Sequence, residues 1–159
     1  MENFLDANLI APLQQALDKM GYVKPTPIQS QSIPIALEGK DILASAQTGT
    51  GKTAAFLIPL ISSLVENPHN SAIILSPTRE LTKQIADVAK EMLQFMPQVK
   101  SCSIVGGEHM GKQLQALKKK PQLIIGTPGR VIDHLERGSL RLAKTKHLVL
   151  DETDRLLDM

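Results

Sequence analysis

A chain of 159 residues, 42% apolar and 21% charged, is long enough for one sizeable core, and it has no apolar run that could span a bilayer. Its net charge of +2 is too small to mark a nucleic-acid binder by bulk attraction, and its single cysteine, Cys102, excludes a disulfide framework and a cysteine-based metal site. The opening M-E-N-F-L-D has no signal-peptide pattern, so a reducing cytoplasm is the expected compartment.

Leu9, Ile10, Leu13, Leu17 and Met20 recur at helical spacing after a candidate cap at Asp6. A second helix is expected to start at Thr26-Pro27, where Thr26 and Gln29 satisfy a capping box. The apolar run Ile42–Ala46 reads as the first strand and leads into A-Q-T-G-T-G-K-T at Ala46–Thr53. A helix is expected over Thr53–Val65, kinked or ended early by Pro59. Further strands are predicted at Ala72–Ser76, Ser101–Val105, Leu123–Gly126 and Leu148–Leu150. Helices separate them at Arg79–Met96, Met110–Lys118 and Gly129–Arg137. This alternation predicts an α/β fold in three layers, a mainly parallel sheet with helices on both faces, and ligands along the edge where the strands end. The sequence shows no internal repeat and no low-complexity linker.

The octamer between strand and helix has the chemistry of a phosphate cradle, a P-loop. Gly49 and Gly51 allow a tight turn that brings backbone N–H groups to an anion, and the following helix points its positive end at the same place. Lys52 can reach the β- and γ-phosphates, and the Thr53 hydroxyl can ligate Mg²⁺. Far downstream, the strand H-L-V-L ends in Asp151 and Glu152. Alone, such a pair is more often a solvated loop or a helix cap. With a phosphate cradle upstream it reads as the metal and water side: Asp151 holds Mg²⁺ directly or through water, and Glu152 orients or deprotonates an attacking water.

Two features bear on nucleic acid. The cluster Lys118, Lys119, Lys120 reads as cations complementing a helix C-terminus, with an RNA-facing patch as the alternative. The aromatics are few, Phe4, Tyr22, Phe56 and Phe95, so a base-stacking platform is not expected, and any nucleic acid is held by its backbone.

From Phe4 to Asp154 these residues resemble the DEAD-box RNA helicases. Tyr22–Gln29, Y-V-K-P-T-P-I-Q after Gly21, resembles the family's Q motif. The resemblance implies that Gln29 hydrogen-bonds the adenine edge, that Tyr22 packs on its ring, and that Phe4 is the family's isolated upstream aromatic. Capping by Gln29 stays open beside this role, since an amide has several bonding sites. P-T-R-E-L at Pro77–Leu81 resembles motif Ia, Gly106-Gly107 the GG element, and T-P-G-R at Thr127–Arg130 motif Ib. The resemblance implies an RNA-backbone surface of Pro77, Thr78, Arg79, Gly106, Gly107, Thr127, Pro128, Gly129 and Arg130. Thr78 and Thr127 are both good N-cap residues, and a helix N-terminus suits a phosphate. Such contacts read no base sequence. The implied ligands are ATP and Mg²⁺: Gln47, Thr48, Gly49, Thr50, Gly51, Lys52 and Thr53 surround the phosphates, Thr53 and Asp151 serve the metal, and Lys52, Asp151 and Glu152 carry the catalysis.

Two positions depart from the simplest pattern. Ala46 stands at the first glycine position of the cradle, as is common in the family, and the acidic motif reads D-E-T-D, with Thr153 where the family has Ala. Neither the S-A-T string that follows the acidic motif in the family nor a second RecA-like domain with its arginine finger occurs in these 159 residues. The expectation is therefore one incomplete RecA-like ATP-binding domain over residues 1–159: Q-motif helices in 1–38 and the P-loop α/β core in 39–159. The enzyme it implies is an ATP-dependent RNA helicase, an ATPase whose partners are RNA and a second RecA-like domain, with no membrane involved. The alternative is a nucleotide- and RNA-binding module with little hydrolysis of its own. A DNA-translocating helicase or other P-loop ATPase is the third reading, disfavoured by Tyr22–Gln29 and Pro77–Leu81.

Overall fold

The computed structural model describes residues 1–159, which divide into two compact units. The first comprises residues 1–66 and 88–97, the second residues 67–87 and 98–159. No helix is long and apolar enough to cross a membrane.

The first unit is helical. A 3₁₀ turn at Phe4–Ala7 precedes α1 (Ala11–Lys19), α2 (Pro27–Leu37) and α3 (Lys52–Glu66). Leu13, Ala16 and Leu17 form the i, i+3, i+4 stripe that α1 buries, and α2 packs against α3. Asp6 does not cap α1. Its carboxylate accepts hydrogen bonds from the N–H groups of Glu2 and Asn3, locking the 3₁₀ turn one element earlier, and α1 starts from Ile10 with Pro12 in its first turn. Backbone N–H donation holds the Asp6 carboxyl below the usual carboxylate range. Pro59 does not end α3, which runs on to Glu66. Leu57, Ile58, Pro59, Leu60 and Ile61 are all buried, so the helix is enclosed on every side around the proline, and that burial offsets the one missing ladder hydrogen bond.

The first predicted strand does not form. Residues 41–47 are irregular, and Ile42 and Leu43 are exposed, Leu43 at 97%. An extended segment becomes a strand only when its N–H and C=O groups meet a neighbouring strand, and this one pairs with none. Apolar patterning cannot register that.

The second unit carries the sheet. Its strands are β1 (Ser71–Leu75), β2 (Ser101–Ile104), β3 (Leu123–Gly126) and β4 (Thr145–Leu150), in the order β2-β3-β1-β4 and parallel throughout. The last strand begins three residues before its expected start. Between strands run α4 (Arg79–Met92), which contributes to both units, α5 (Met110–Lys118) and α6 (Pro128–Arg137); α7 (Thr153–Leu157) follows β4. Ile73, Ile104 and Ile124 on one face of the sheet form a cluster with Leu117 of α5, Val131 of α6 and Leu140. Ala72, Ile74, Leu123 and Ile125, on the other face, are equally buried. Apolar residues on both faces are what a parallel sheet requires, and each large one contributes about 1.5–3 kcal/mol by leaving water.

Gly126, the last residue of β3, marks close packing within the sheet. A Cβ there would stand 2.8 Å from the Ile104 carbonyl oxygen and 2.7 Å from Val131 Cγ2. A backbone carbonyl in a ladder cannot step aside. Gly126→Ala is expected to lower stability by about 1–3 kcal/mol, read as a lower urea midpoint with an unchanged slope.

Candidate functional site

In the first unit the site is built around Gln29. This side chain is 1% exposed and uses both ends of its amide. Its Oε1 accepts from the Thr26 N–H at 2.9 Å, and its Nε2 donates to the Gly51 carbonyl at 3.1 Å. Thr26 and Gln29 thus have capping-box geometry at the start of α2, yet the Thr26 Oγ1 itself is buried without a hydrogen-bond partner. Gly51 has φ +87°, and a Cβ there would run into Gln29 Nε2. Glycine is needed at this position twice over: for the backbone angle and for the approach of the amide. Gly49, at φ +82°, supplies the other left-handed turn. The loop from Gln47 to Gly49 is exposed; Lys52 and Thr53, half-buried, form the first turn of α3, whose free N–H groups open toward the same loop.

Tyr22 and Phe4 meet edge to face, with ring centroids 5.8 Å apart and planes at 85°. Phe4 is 2% exposed and braces the half-buried Tyr22 ring from behind. Loss of hydration, with the Glu91 carboxylate as a smaller cause, raises the Tyr22 phenol above its ordinary value, so the ring stays neutral.

In the second unit, parallel pairing puts the ends of all four strands on one edge, and every other candidate motif lies there. Pro77–Arg79 follows β1, Gly106-Gly107 follows β2, Thr127–Arg130 follows β3, and Asp151-Glu152 follows β4. Thr78 Oγ1 accepts from the Leu81 N–H at 3.2 Å and so caps α4. Thr127 is the N-cap residue of α6, as expected, but its side chain makes no cap hydrogen bond. Its hydroxyl is left available at the start of α6.

The Gly106-Gly107 loop is the most heavily tethered part of this edge. The Arg79 guanidinium lies where a Gly107 side chain would be: a Cβ there would sit 2.8 Å from its Nη1. Lys83 pairs with Glu108 at 2.9 Å. Arg130 Nη1 donates to the Glu108 carbonyl at 3.4 Å and to Gln113 Oε1 at 3.3 Å. Gln113 Nε2 donates to the Val105 carbonyl at 2.9 Å. This leaves Gln113 Oε1 as an acceptor for His134 Nε2, 2.9 Å away, and so assigns the ring hydrogen to Nε2. His134 Nδ1 meets the Ser139 hydroxyl at 2.7 Å. Sequence reading missed Lys83, Glu108, Gln113 and His134. The available signal was a polar residue on a buried helical stripe, Gln113 with Leu117 and His134 with Val131.

At the fourth strand end, the Asp151 N–H continues the ladder to the Leu75 carbonyl at 2.9 Å, which holds Asp151 at the sheet edge. Glu152 adopts φ +50°, a left-handed conformation that costs a side-chain-bearing residue roughly 1–2 kcal/mol. Its Oε2 accepts from Arg155 Nη1 at 3.0 Å. The Thr153 hydroxyl donates to the Leu150 carbonyl at 3.3 Å, so the residue that departs from the usual acidic string secures the turn.

The chemistry of the donor set fits the ligands expected. In the first unit, an orphaned buried hydroxyl, two left-handed glycines, a lysine and a threonine at a helix start suit a nucleotide. No group of three or more His, Cys, Asp or Glu side chains could hold a metal unaided. A Mg²⁺ ion that arrives on phosphates needs only one or two protein oxygens, and in the first unit the Thr53 hydroxyl is of that kind.

The chain is similar to known proteins along nearly its whole length. The family model described as DEAD/DEAH box helicase matches residues 26–159. The chain is 45% identical over 157 residues to the DEAD-box ATP-dependent RNA helicase CshA of Bacillus subtilis, covering 98% of this chain and 32% of that protein. It is 46% identical over 159 residues to the ATP-dependent RNA helicase DeaD of Escherichia coli K12, covering 98% and 25% respectively. The crystal structure of a DEAD box protein from the hyperthermophile Methanococcus jannaschii superimposes with a TM-score of 0.92 at 42% identity, over 100% of this chain and 44% of that one. The three-layer α/β architecture is thereby shared. The chain spans a quarter to a third of the length of these two curated relatives.

The tethered loop carries a pH signature. Burial, with Arg130 and Arg137 as smaller causes and Asp133 opposing, lowers the His134 pKa below its ordinary 6.5. The unfolded chain then binds the proton more tightly than the folded one, so the contribution to stability is full above about pH 6.5 and falls as pH drops toward the folded value. Urea midpoints are expected to decline across this window, and His134→Gln is expected to remove that part of the decline while lowering stability at neutral pH.

Proposed function

Because this chain belongs to the DEAD/DEAH box helicase family, we propose that it is the ATP-binding RecA-like portion of an ATP-dependent RNA helicase. The observation that carries this reading is the Gln29 bridge. One buried amide joins the start of α2 to the Gly51 carbonyl, so the element read as the adenine recogniser is tied directly to the phosphate loop. In this reading Tyr22, braced by Phe4, packs on the base, and the unpartnered Thr26 hydroxyl beside Gln29 gains a partner from the ligand. The N–H groups of Gln47–Gly51 and the Lys52 ammonium hold the phosphates, as preorganised charge rather than as a reacting group.

Thr53 and Asp151 are the residues that would hold Mg²⁺, which when bound neutralises charge across the β- and γ-phosphates. Glu152 would orient the attacking water and take its proton. Its left-handed backbone supports that role, since strain of this kind clusters at functional sites. RNA would lie along the ends of β1, β2 and β3, on the Thr127 hydroxyl, the α4 and α6 N-termini and the tethered glycine loop. These groups recognise phosphate and sugar, so the contact is indifferent to base sequence. Unwinding, RNA-stimulated hydrolysis and pairing with a second RecA-like domain belong to the reading of the longer relatives.

One observation favours the narrower reading, in which these 159 residues bind nucleotide with little turnover. The segment ahead of the phosphate loop, residues 41–47, is unpaired and exposed, so the loop enters from a segment that no ladder holds.

A nucleotide panel tests the adenine role. ATP is expected to bind at least about tenfold more tightly than GTP. Gln29→Ala should bring the two toward equality, whereas Lys52→Ala should weaken both alike. Equal binding of GTP and ATP by the unaltered chain would refute the role of Gln29. Glu152→Gln is expected to retain ATP binding and to lose any measurable turnover.

A further inference from the structure

The edge of the sheet opposite the motifs is the most basic part of the molecule. In an all-parallel sheet every segment that leads into a strand lies on the edge where strands begin. Lys100 leads into β2, and Lys118, Lys119 and Lys120 lead into β3. Arg141 and Lys144 lead into β4, whose second residue is Lys146. All are exposed, and none makes an ion pair. Backbone contacts fix their order: Gln122 and Leu123 donate to the Lys100 carbonyl, and Ser71 donates to that of Lys144. Across three interstrand spacings these cations span about 15 Å, the run of about four phosphates of one strand.

The segments 98–100, 119–122 and 138–144 contain no acidic residue. The nearest charges on α6 are Glu136, Arg137 and Asp133, the last two paired with each other. The rest of the chain holds eleven basic and sixteen acidic residues, so the modest net charge of +2 conceals a strong separation. Helix-dipole compensation accounts for little of it. Lys118 ends α5 and Lys119 caps it, but Lys120 lies beyond at φ +53°, and Lys100, Arg141 and Lys144 follow no helix end directly.

We propose that this basic edge is a second RNA-backbone surface, separate from the motif-bearing edge, that engages the same RNA where it extends past the motifs. The proposal rests on the reading that the chain acts on RNA. Single-stranded backbone is the fitting occupant: the patch is a line of flexible cations with no aromatic platform, and β4, at about 20 Å, separates it from the motif edge by only a few nucleotides.

The experiment uses this chain with uridine strands of about six and about thirty nucleotides, over a range of KCl concentrations. For Lys118→Gln, Lys119→Gln and Lys120→Gln combined, the salt slope on the long strand is expected to fall by about 2, since each phosphate no longer neutralised by a lysine lowers it by about 0.7. Affinity for the short strand and for ATP should stay unchanged, and Lys144→Gln alone should give about a third of the effect. An unchanged slope on the long strand would overturn the proposal, as would an equal loss on both strands or failure of the unaltered chain to bind the long strand. Weakened binding to phosphatidylserine vesicles with intact RNA binding would overturn it in favour of a membrane surface. Failure of the short strand alone to bind would count against RNA at the motif edge, while a reduced slope on the long strand would still support the basic edge.

Discussion

The arrangement depends on β1 pairing in parallel with two neighbours at once. Ile73 aligns with Ile124 on one side and with Leu148 on the other, and Ile74 with Ile125 and Val149. Parallel pairing requires every connection to cross back over the sheet, and that puts all strand ends on one edge and all strand beginnings on the other. Four motifs scattered from Pro77 to Glu152 thereby become one surface, and the lysines preceding the strands become another. Neither surface is made by residues that are near in sequence. Both follow from one choice of strand direction, held by a core buried on both faces.

Within that frame, the phosphate- and RNA-facing elements gain their shape from side chains that are already engaged within the protein. Gln29 is buried and spends its amide on Thr26 and Gly51, so the loop that cradles an anion is held by an element about twenty residues upstream. The glycine loop after β2 is held by Arg79, Lys83, Arg130 and, through Gln113, by the buried His134. Arginines that read as phosphate contacts in isolation thus also tie down the loop. Backbone N–H groups recognise phosphate only when they are already aimed, and such anchoring removes the ordering cost that binding would otherwise carry.

Much of this was legible in the chain. α5 and β3 have the bounds expected of them, the start of α2 lies at Thr26-Pro27, and the four strands of the sheet were all anticipated. Their signals are local: periodicity, a capping pattern, short apolar runs bounded by turns. The failures share a cause. Ile42–Ala46 has the composition of a strand and lacks a partner. Pro59 has the look of a helix terminator, and α3 runs through it because the helix is buried all round there. Asp6 has the look of a helix cap and serves a preceding 3₁₀ turn. Thr127 has the residue type and position of an N-cap, and its hydroxyl makes no bond. In each case a local preference worth about one to three kilocalories per mole was decided by what the segment meets in space.

The sequence by itself determined the chemistry: a lysine and threonine after two glycines, an acidic pair at a strand end, an amide three residues after a threonine, and a family membership carried by those strings. These are statements of residue type and spacing, and covalent order is enough to make them. Only the tertiary structure decided which groups are already engaged, that Gln29 spans to Gly51, that Arg130 and His134 meet at Gln113, and that cations separated by dozens of residues share one edge. Contacts of that kind depend on the packing of elements distant in the chain, which no local pattern encodes.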